Sequence, residues 1–311
     1  MSPQRVAAID CGTNSIRLLV ADLDPATGRL HDLDRRMTIV RLGQGVDRTG
    51  RLAPEALERT FAACRDYAAV IAGHGVSQLR FVATSASRDA ENRDEFTDGV
   101  REILGVEPEV VSGDEEAWLS FTGATRELLG DDRMAPPFLV FDLGGGSTEF
   151  VLGTDRVEAA RSVDIGCVRL TERHGEDTLA MRADIKQALD LAEQTVPLTS
   201  AATLVGLAGT ATTVAGIALD LPAYDSAAIH HARIPLARVR EVTELLLSAT
   251  SEQRAAIPVM HPGRVDVIGA GALVLLAIME RTGARELVVS EHDILDGIAW
   301  STAREGTRES L

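Results

Sequence analysis

Lysine is almost absent from the chain. Lys186 is the single one in 311 residues, so nearly every side-chain cation is a guanidinium. A site for an anionic ligand must then draw on arginine, backbone amides or a metal. Basic charge is short as well. Lys and Arg number 31 against 47 Asp and Glu, a net charge of −16. That balance argues against partners such as nucleic acid or an anionic membrane surface. It does not exclude a polyanionic substrate, because arginines that converge in a cleft reverse the sign locally. Cysteine is scarce: Cys11, Cys64 and Cys167 are widely spaced and form no metal-ligand pattern. An odd count suits a reducing compartment, so the cytoplasm is expected. There is no apolar run of about 18 residues, so no membrane span is expected. The opening MSPQRVAAIDCG lacks a charged region followed by an apolar core and a cleavage site, so no signal peptide is expected.

What is present is the balance of a globular protein, 45% hydrophobic and 25% charged, with length enough for two domains. One stretch organises the reading: FLVFDLGGGSTEFV, Phe138 to Val151. An apolar run reads as a buried strand that ends at Asp142. Gly144, Gly145 and Gly146 follow, suited to positive φ and to close approach of a ligand. Ser147 and Thr148 add hydroxyls and Glu149 a second acid before the apolar run resumes. Successive N–H groups in such a turn make an anion-binding concavity. Acids beside an anion call for a cation between them, which points to phosphate plus a divalent metal. A glycine-rich hairpin without a ligand is the alternative reading of these residues.

Residues 6–21 repeat the plan. Val6 to Asp10 is a strand ending in an acid, Gly12, Thr13, Asn14 and Ser15 form a donor-rich turn, and Ile16 to Ala21 is apolar again. Two copies in the same setting predict two similar domains facing each other across a cleft. A third strand is expected over 29–40. A helix begins at Pro54 and ends at Gly73. A strand over 79–83 runs into Thr84–Arg88 and one helix to about Leu104, an arrangement that places Thr84, Ser85 and Arg88 where open α/β sheets bind ligands; N-capping accounts for the serines equally well. Glu107–Val111 reads as a strand. The helix after Ser112 carries Glu115 and Glu116 in its first turn, where acids suit the dipole. Residues 130–137 form a linker. Beyond it come strands to Asp164, helices from Ile165 and over 180–197, and a strand over 203–207. Gly209 and Thr210 then open a helix whose amides suit phosphate, although tight strand–helix packing explains Gly209 as well. His230 and His231 read as surface residues, without further ligands at zinc spacing. Helices are expected over 235–248, 264–280 and 293–304, with a last strand over 286–289.

Eight ordered motifs carry a resemblance over nearly the whole chain: IDCGTNSIRLLV (Ile9–Val20), RLGQGVDRTGRL (Arg41–Leu52), ATSASRDAEN (Ala83–Asn92), VVSGDEEA (Val110–Ala117), FDLGGGSTEF (Phe141–Phe150), IGCVRLTE (Ile165–Glu172), GLAGTATT (Gly206–Thr213) and HPGRVDVIGAGALVL (His261–Leu275). Together they resemble the exopolyphosphatase/guanosine pentaphosphate phosphatase family of the actin-like superfamily. The resemblance implies an α/β fold of two ribonuclease-H-like (actin/Hsp70/sugar-kinase-like) domains with an interdomain active-site cleft. Residues 1–129 make the first domain, rejoined by a last helix within 293–311, and 130–292 make the second.

The resemblance also implies roles. Glu116, the second glutamate of the family's Ser-Gly-x-Glu-Glu motif, is the expected general base. Asp142 and Glu149, and less directly Asp10, are expected to hold Mg²⁺ or Mn²⁺. The amides of Gly12–Ser15 and Gly144–Ser147, with Arg88, Gly209 and Thr210, are expected to bind phosphoryl oxygens. Expected partners are inorganic polyphosphate and guanosine penta- or tetraphosphate, with a monovalent cation as a stimulant and a homodimer as the assembly. Longer family members carry a helical extension; the sequence here stops at Leu311, which implies a preference for short polyphosphates. Ser290–Gly297 departs from the Arg-Glu-Gly pattern of the family. Guanosine pentaphosphate hydrolysis, a kinase of the same superfamily and a non-catalytic polyphosphate or alarmone sensor are the alternative functions.

Overall fold

The structure, a computed structural model, describes residues 4–24, 29–76, 78–129 and 133–305. Part of the expected linker (130–132) and of the C-terminal segment (306–311) lies outside the described residues. The chain divides into two compact units, Met1–Gly123 with Ile294–Leu311, and Ala124–Asp293. The crossing at Gly123–Ala124 falls inside a helix that ends at Leu128, just before the expected boundary.

In the first unit, β1 (Gln4–Cys11), β2 (Ser15–Leu23) and β3 (Leu30–Ile39) form an antiparallel meander. β4 (Gln78–Ala83) lies parallel to β1 and β5 (Glu109–Val110) parallel to β4, giving the order β3-β2-β1-β4-β5. The central strands are apolar on both faces, as strands covered on both sides must be. Their period of two sorts them: Ala7, Ile9, Ile16, Leu18 and Val20 enter one core, Val6, Ala8, Leu19, Ala21 and Leu23 the other. The first core is filled from α2 (Pro54–His74) and α4 (Arg93–Leu104), after the short α1 (Val46–Thr49) and α3 (Ser85–Asp89). The second is closed by Leu119 of α5 (Gly113–Leu128) and by Ile294, Leu295, Ile298 and Ala299 of the last helix, Ile294–Glu305.

Two local expectations change here. The helix from Pro54 passes through Gly73 and stops at Gly75, whose φ of 63° makes the left-handed cap. The single helix expected after Ser85 is two, α3 and α4. Between them Asn92 is tied across the fold to Leu52, accepting its N–H at 2.8 Å and donating to its C=O at 3.2 Å, so the chain turns there.

The second unit repeats the plan. β6 (Phe138–Leu143), β7 (Thr148–Gly153) and β8 (Val157–Val163) are antiparallel, and β9 (Thr203–Leu207) is parallel to β6. With edge strand β10 (Arg233–Pro235) and β11 (Glu286–Val289), the order is β10-β11-β9-β6-β7-β8. Read from β8, five strands follow the order of the first sheet and β10 is added. The α/β class and the duplicated ribonuclease-H-like plan expected from sequence are both present. The helices are α6 (Cys167–His174), α7 (Thr178–Glu193), α8 (Ala208–Ala218), α9 (Ser226–Ile229), α10 (Leu236–Ser248), α11 (Ser251–Ala255), α12 (Ile268–Thr282) and α13 (Ile294–Glu305). α12 starts at Ile268, later than expected, because Pro262–Arg264 form a separate 3-10 turn. The lone lysine, Lys186, sits on α7 and pairs with Asp190 at 2.8 Å. All three cysteines are buried and free. Among the described residues no helix is long and apolar enough to cross a membrane.

Candidate active site

In the first unit the β1–β2 reversal closes with the Gly12 N–H donating to the Ser15 C=O at 3.0 Å. Asp10, buried near the end of β1, faces Arg17 on β2; its Oδ2 accepts from Arg17 Nη2 at 2.6 Å and Nε at 2.9 Å. The turn is braced by the segment after β3. Gly43 donates to the Thr13 C=O at 2.9 Å, and Val40 and Arg41 donate to that of Asn14 at 3.0 and 2.9 Å. Gly43 has to be glycine, since a Cβ there would lie 2.2 Å from Thr13 Cγ2.

The segment at the carboxyl end of β4 meets the same turn. The Thr84 N–H donates to the Cys11 C=O at 3.2 Å, and the hydroxyls of Thr13 and Ser85 share a hydrogen bond of 2.8 Å. Arg88, at the end of α3, reaches back with Nη1 to the Val111 C=O at 2.9 Å and to Glu116 Oε2 at 3.1 Å. Glu116 and Glu115 are neighbours in the first turn of α5 but serve different arginines. Glu116 is buried against Arg88. The Glu115 side chain is 45% exposed and accepts from Arg80 Nη2 at 3.0 Å. Ser112 caps the helix by accepting the Glu115 N–H at 3.2 Å.

In the second unit the Gly144 N–H donates to the Ser147 C=O at 3.0 Å, the same closure as in the first. The carbonyls of this turn face the start of α6. Gly144 accepts from the Cys167 N–H at 3.1 Å, Gly145 from Val168 and Arg169 at 2.9 and 3.0 Å, and Gly146 from Arg169 Nε at 2.6 Å. In a trans peptide the next N–H points opposite to the carbonyl. The N–H groups of Gly145, Gly146 and Ser147 therefore point away from α6, as an anion-binding turn requires. Positive φ is not what the glycines supply: Gly144 is not among the positive-φ glycines of the described residues. They supply room. A Cβ on Gly144 would sit 3.2 Å from the Ser147 carbonyl, and one on Gly166 would sit 2.4 Å from that of Gly145.

Asp142 and Glu149 lie directly opposite each other on β6 and β7, both buried. Where the first hairpin sets an arginine across from its aspartate, the second sets another acid, a cross-strand pairing of like charges that is unfavourable by itself. Glu149 Oε1 accepts from Ser162 Oγ at 2.7 Å.

Gly209 and Thr210 open α8. Ala208 before them has φ of 64°, a left-handed conformation uncommon for a residue with a Cβ. Arg264 donates through Nη1 to the Gly209 C=O and to Thr213 Oγ1, both at 3.1 Å, and its guanidinium lies where a Cβ on Gly209 would be, 2.0 Å away. Gly209 is thus a seat for Arg264. Thr210 is buried toward α12, 2.6 Å from the point where a Cβ on Gly271 would be. Burial pushes the adjacent Cys167 thiol up to about 11.

The structure thus joins Asp10 to Arg17, Thr13 to Ser85, Arg88 to Glu116, Asp142 to Glu149, and Gly209 to Arg264. Sequence reasoning named Arg88 but missed Arg17, Arg169, Arg264 and the supporting Ser162. Arg17, Arg169 and Arg264 all stand inside quoted motifs, and the shortage of lysine was the signal that could have found them.

A duplicated sheet with an acid and a braced turn at the end of the first strand of each copy defines the class, a two-unit α/β protein of the actin-like type. The chain belongs to the Ppx/GppA phosphatase family, whose model matches residues 19–305. It is 53% identical over 321 residues to Exopolyphosphatase 2 of Mycobacterium tuberculosis, covering 97% of this chain and 100% of that one. A solved structure described as an exopolyphosphatase-like protein is 42% identical, with a TM-score of 0.94 over 99% of this chain and 100% of that one. The guanosine-5'-triphosphate,3'-diphosphate pyrophosphatase of Vibrio atlanticus is 28% identical over 320 residues, 100% of this chain and 62% of that one.

Proposed function

We propose that the chain is an exopolyphosphatase, releasing orthophosphate from the end of inorganic polyphosphate. Full-length likeness to Exopolyphosphatase 2 carries the choice of substrate. The buried Glu116 held by Arg88 at 3.1 Å supports the choice of reaction. In this reading Glu116 takes a proton from water as the water oxygen bonds to the terminal phosphorus. The bridging P–O bond breaks and its oxygen leaves on the shortened chain. Such a base contributes about 10²–10⁴-fold in rate. Arg88 orients the Glu116 carboxylate. The outward N–H groups of Gly145, Gly146 and Ser147, the Gly12–Ser15 turn and the segment at Gly209 and Thr210 hold phosphoryl oxygens, with Arg264 adding charge beside Gly209.

The donors fit a hard divalent cation. Asp142 and Glu149 offer buried carboxylate oxygens from facing positions, with Ser162 fixing one of them. Asp10 already has the Arg17 guanidinium as its counter-charge and is the lesser contributor. A bound Mg²⁺ would neutralise charge on the phosphoryl oxygens.

The test is phosphate release with Mg²⁺ from short polyphosphate, long polyphosphate and guanosine pentaphosphate in parallel. Release from polyphosphate is expected, and the two lengths settle the chain-length preference. Turnover of guanosine pentaphosphate alone would replace this reading with the second one, which the likeness to the Vibrio enzyme favours. Binding of polyphosphate without turnover of any substrate would replace it with a sensor.

A further inference from the structure

His230 and His231 read from sequence as surface residues without further ligands at zinc spacing, but the fold brings two, Glu127 and His292, to His230. β10 runs antiparallel to β11, so the residues before β10 come beside those after β11: the His231 N–H donates to the Val289 C=O at 2.7 Å and the Glu291 N–H to His230 Nδ1 at 3.2 Å. This brings the His230 and His292 rings to 4.7 Å between centroids. Glu127, in the last turn of α5, faces both. Its Oε2 lies 3.1 Å from His230 Nε2 and 3.4 Å from His292 Nδ1. One atom from each of the three residues falls within 4.8 Å of the others, the one such group among the described residues.

We propose that Glu127, His230 and His292 form a binding site for Zn²⁺ or a similar divalent transition metal, separate from Asp142 and Glu149 and independent of the reading given above. Two imidazoles and a carboxylate are the donors such a metal takes, with a fourth position left to water. Zinc bonds of about 2.0–2.2 Å at tetrahedral angles set ligand atoms about 3.3–3.5 Å apart, close to the two spacings made by Glu127. His231 stacks on His230 with centroids 3.7 Å apart and fixes the ring plane. The side chains are 54%, 22% and 33% exposed for Glu127, His230 and His292, which gives an ion a way in. A carboxylate at a helix C-terminus opposes the dipole, and a cation beside it removes the conflict. Metal-free, the Glu291 N–H at His230 Nδ1 leaves the ring proton on Nε2, aimed at Glu127. Metal on Nε2 moves that proton to Nδ1 and releases the Glu291 amide.

The experiment is Zn²⁺ titration of the full chain by calorimetry, after chelation and with Mg²⁺ in excess to fill the carboxylate pair. Co²⁺ replaces Zn²⁺ in a second run, read by its visible spectrum. Expected are one ion per chain, the absorption of four-coordinate cobalt with mixed N/O ligands, and a shifted Glu291 amide resonance. H230A/H292A should weaken binding by more than the roughly 10–100-fold that losing a supporting hydrogen bond costs. E127Q, at a half-exposed position, should weaken it without affecting folding, and D142N should leave it unchanged. No Zn²⁺ uptake, or uptake within twofold of wild type in both E127Q and H230A/H292A, would overturn the proposal. The cluster would then be a hydrogen-bonded Glu–His pair and nothing more.

Discussion

Glu116→Gln tests the chemistry most directly, with Glu115→Gln as its control. Glutamine keeps the shape and an oxygen for the Arg88 bond of 3.1 Å, while removing the charge and with it the capacity to accept a proton. The Glu116 side chain is 10% exposed, so no bulk water replaces the lost base. The rate should fall by about 10²–10⁴-fold. That equals roughly 3–5 kcal/mol in the barrier. Polyphosphate binding should survive. Glu115 differs by one position and by everything around it. Its partner Arg80 keeps Glu109, at 2.6 and 3.0 Å, and Ser301 Oγ at 2.6 Å. Glu115→Gln should therefore change the rate by less than about twofold and, as a solvent-screened pair, stability by less than ~1 kcal/mol. Phosphate release at saturating polyphosphate gives the rates, and a separate titration of the inactive variant gives the affinity. If Glu115→Gln collapses turnover and Glu116→Gln does not, the base has been misplaced.

Gly297→Ala should weaken the fold without touching the chemistry: the new Cβ would meet the Leu119 carbonyl oxygen at 2.0 Å, backbone that has nowhere to move. Overpacking of this kind costs about 1–3 kcal/mol. At about 2–4 °C per kcal/mol for a chain of this size the melting temperature should drop by several degrees; an unchanged melt refutes the contact. Burial pushes Cys64 up to about 12 and Cys167 up to about 11, with Cys11 also raised well above its ordinary range. A thiol reagent at neutral pH should find none of the three until the chain unfolds, and modification with circular dichroism unchanged would contradict that. Raised acids also set a direction with pH. Unfolded thiols ionise near 9.0 while the folded ones stay neutral, so stability should decline as pH rises from there toward 11, with Tyr67, pushed up to about 12 by burial, adding to the loss. A denaturation midpoint that holds steady over that range would count against the burial.

Both hairpins were legible because an Asp closes an unbroken apolar run at each and a glycine-bearing turn follows, a signal that needs no knowledge of the partner strand. The strand over 203–207 was legible as a short apolar run bounded by a glycine-bearing turn. What hid was whatever depends on a distant residue. Asn92 breaks a helix by bonding Leu52, and nothing in the local run Ser85–Leu104 announces it. Arg264 reads as the start of a helix but is held in a 3-10 turn that delivers its guanidinium to Gly209. The glycines of the second turn suggested positive φ, whereas Gly144 is not a positive-φ residue and what its surroundings restrict is a side chain, a Cβ there lying 3.2 Å from the Ser147 carbonyl. Glu115 and Glu116 are equivalent by capping and dipole, and only the third dimension sends one to Arg80 and the other to Arg88. His230 and His292 stand just before β10 and just after β11, and the pairing of those two strands creates the neighbourhood.

The last helix gives the molecule an order of completion. Ala124–Asp293 is continuous in the chain and has all its residues once Asp293 has been made. The first unit does not, although most of it is synthesised earlier. One face of its sheet waits for Ile294, Leu295 and Ile298. Three such side chains are worth roughly 5–9 kcal/mol before entropy, comparable to the whole stability of an ordinary domain. A nascent chain therefore carries an open apolar face on the first unit's sheet until residues 294–299 have been made. Premature termination before residue 294 leaves that face bare, a mark by which chaperones and proteases can tell such a product from a chain that has the helix.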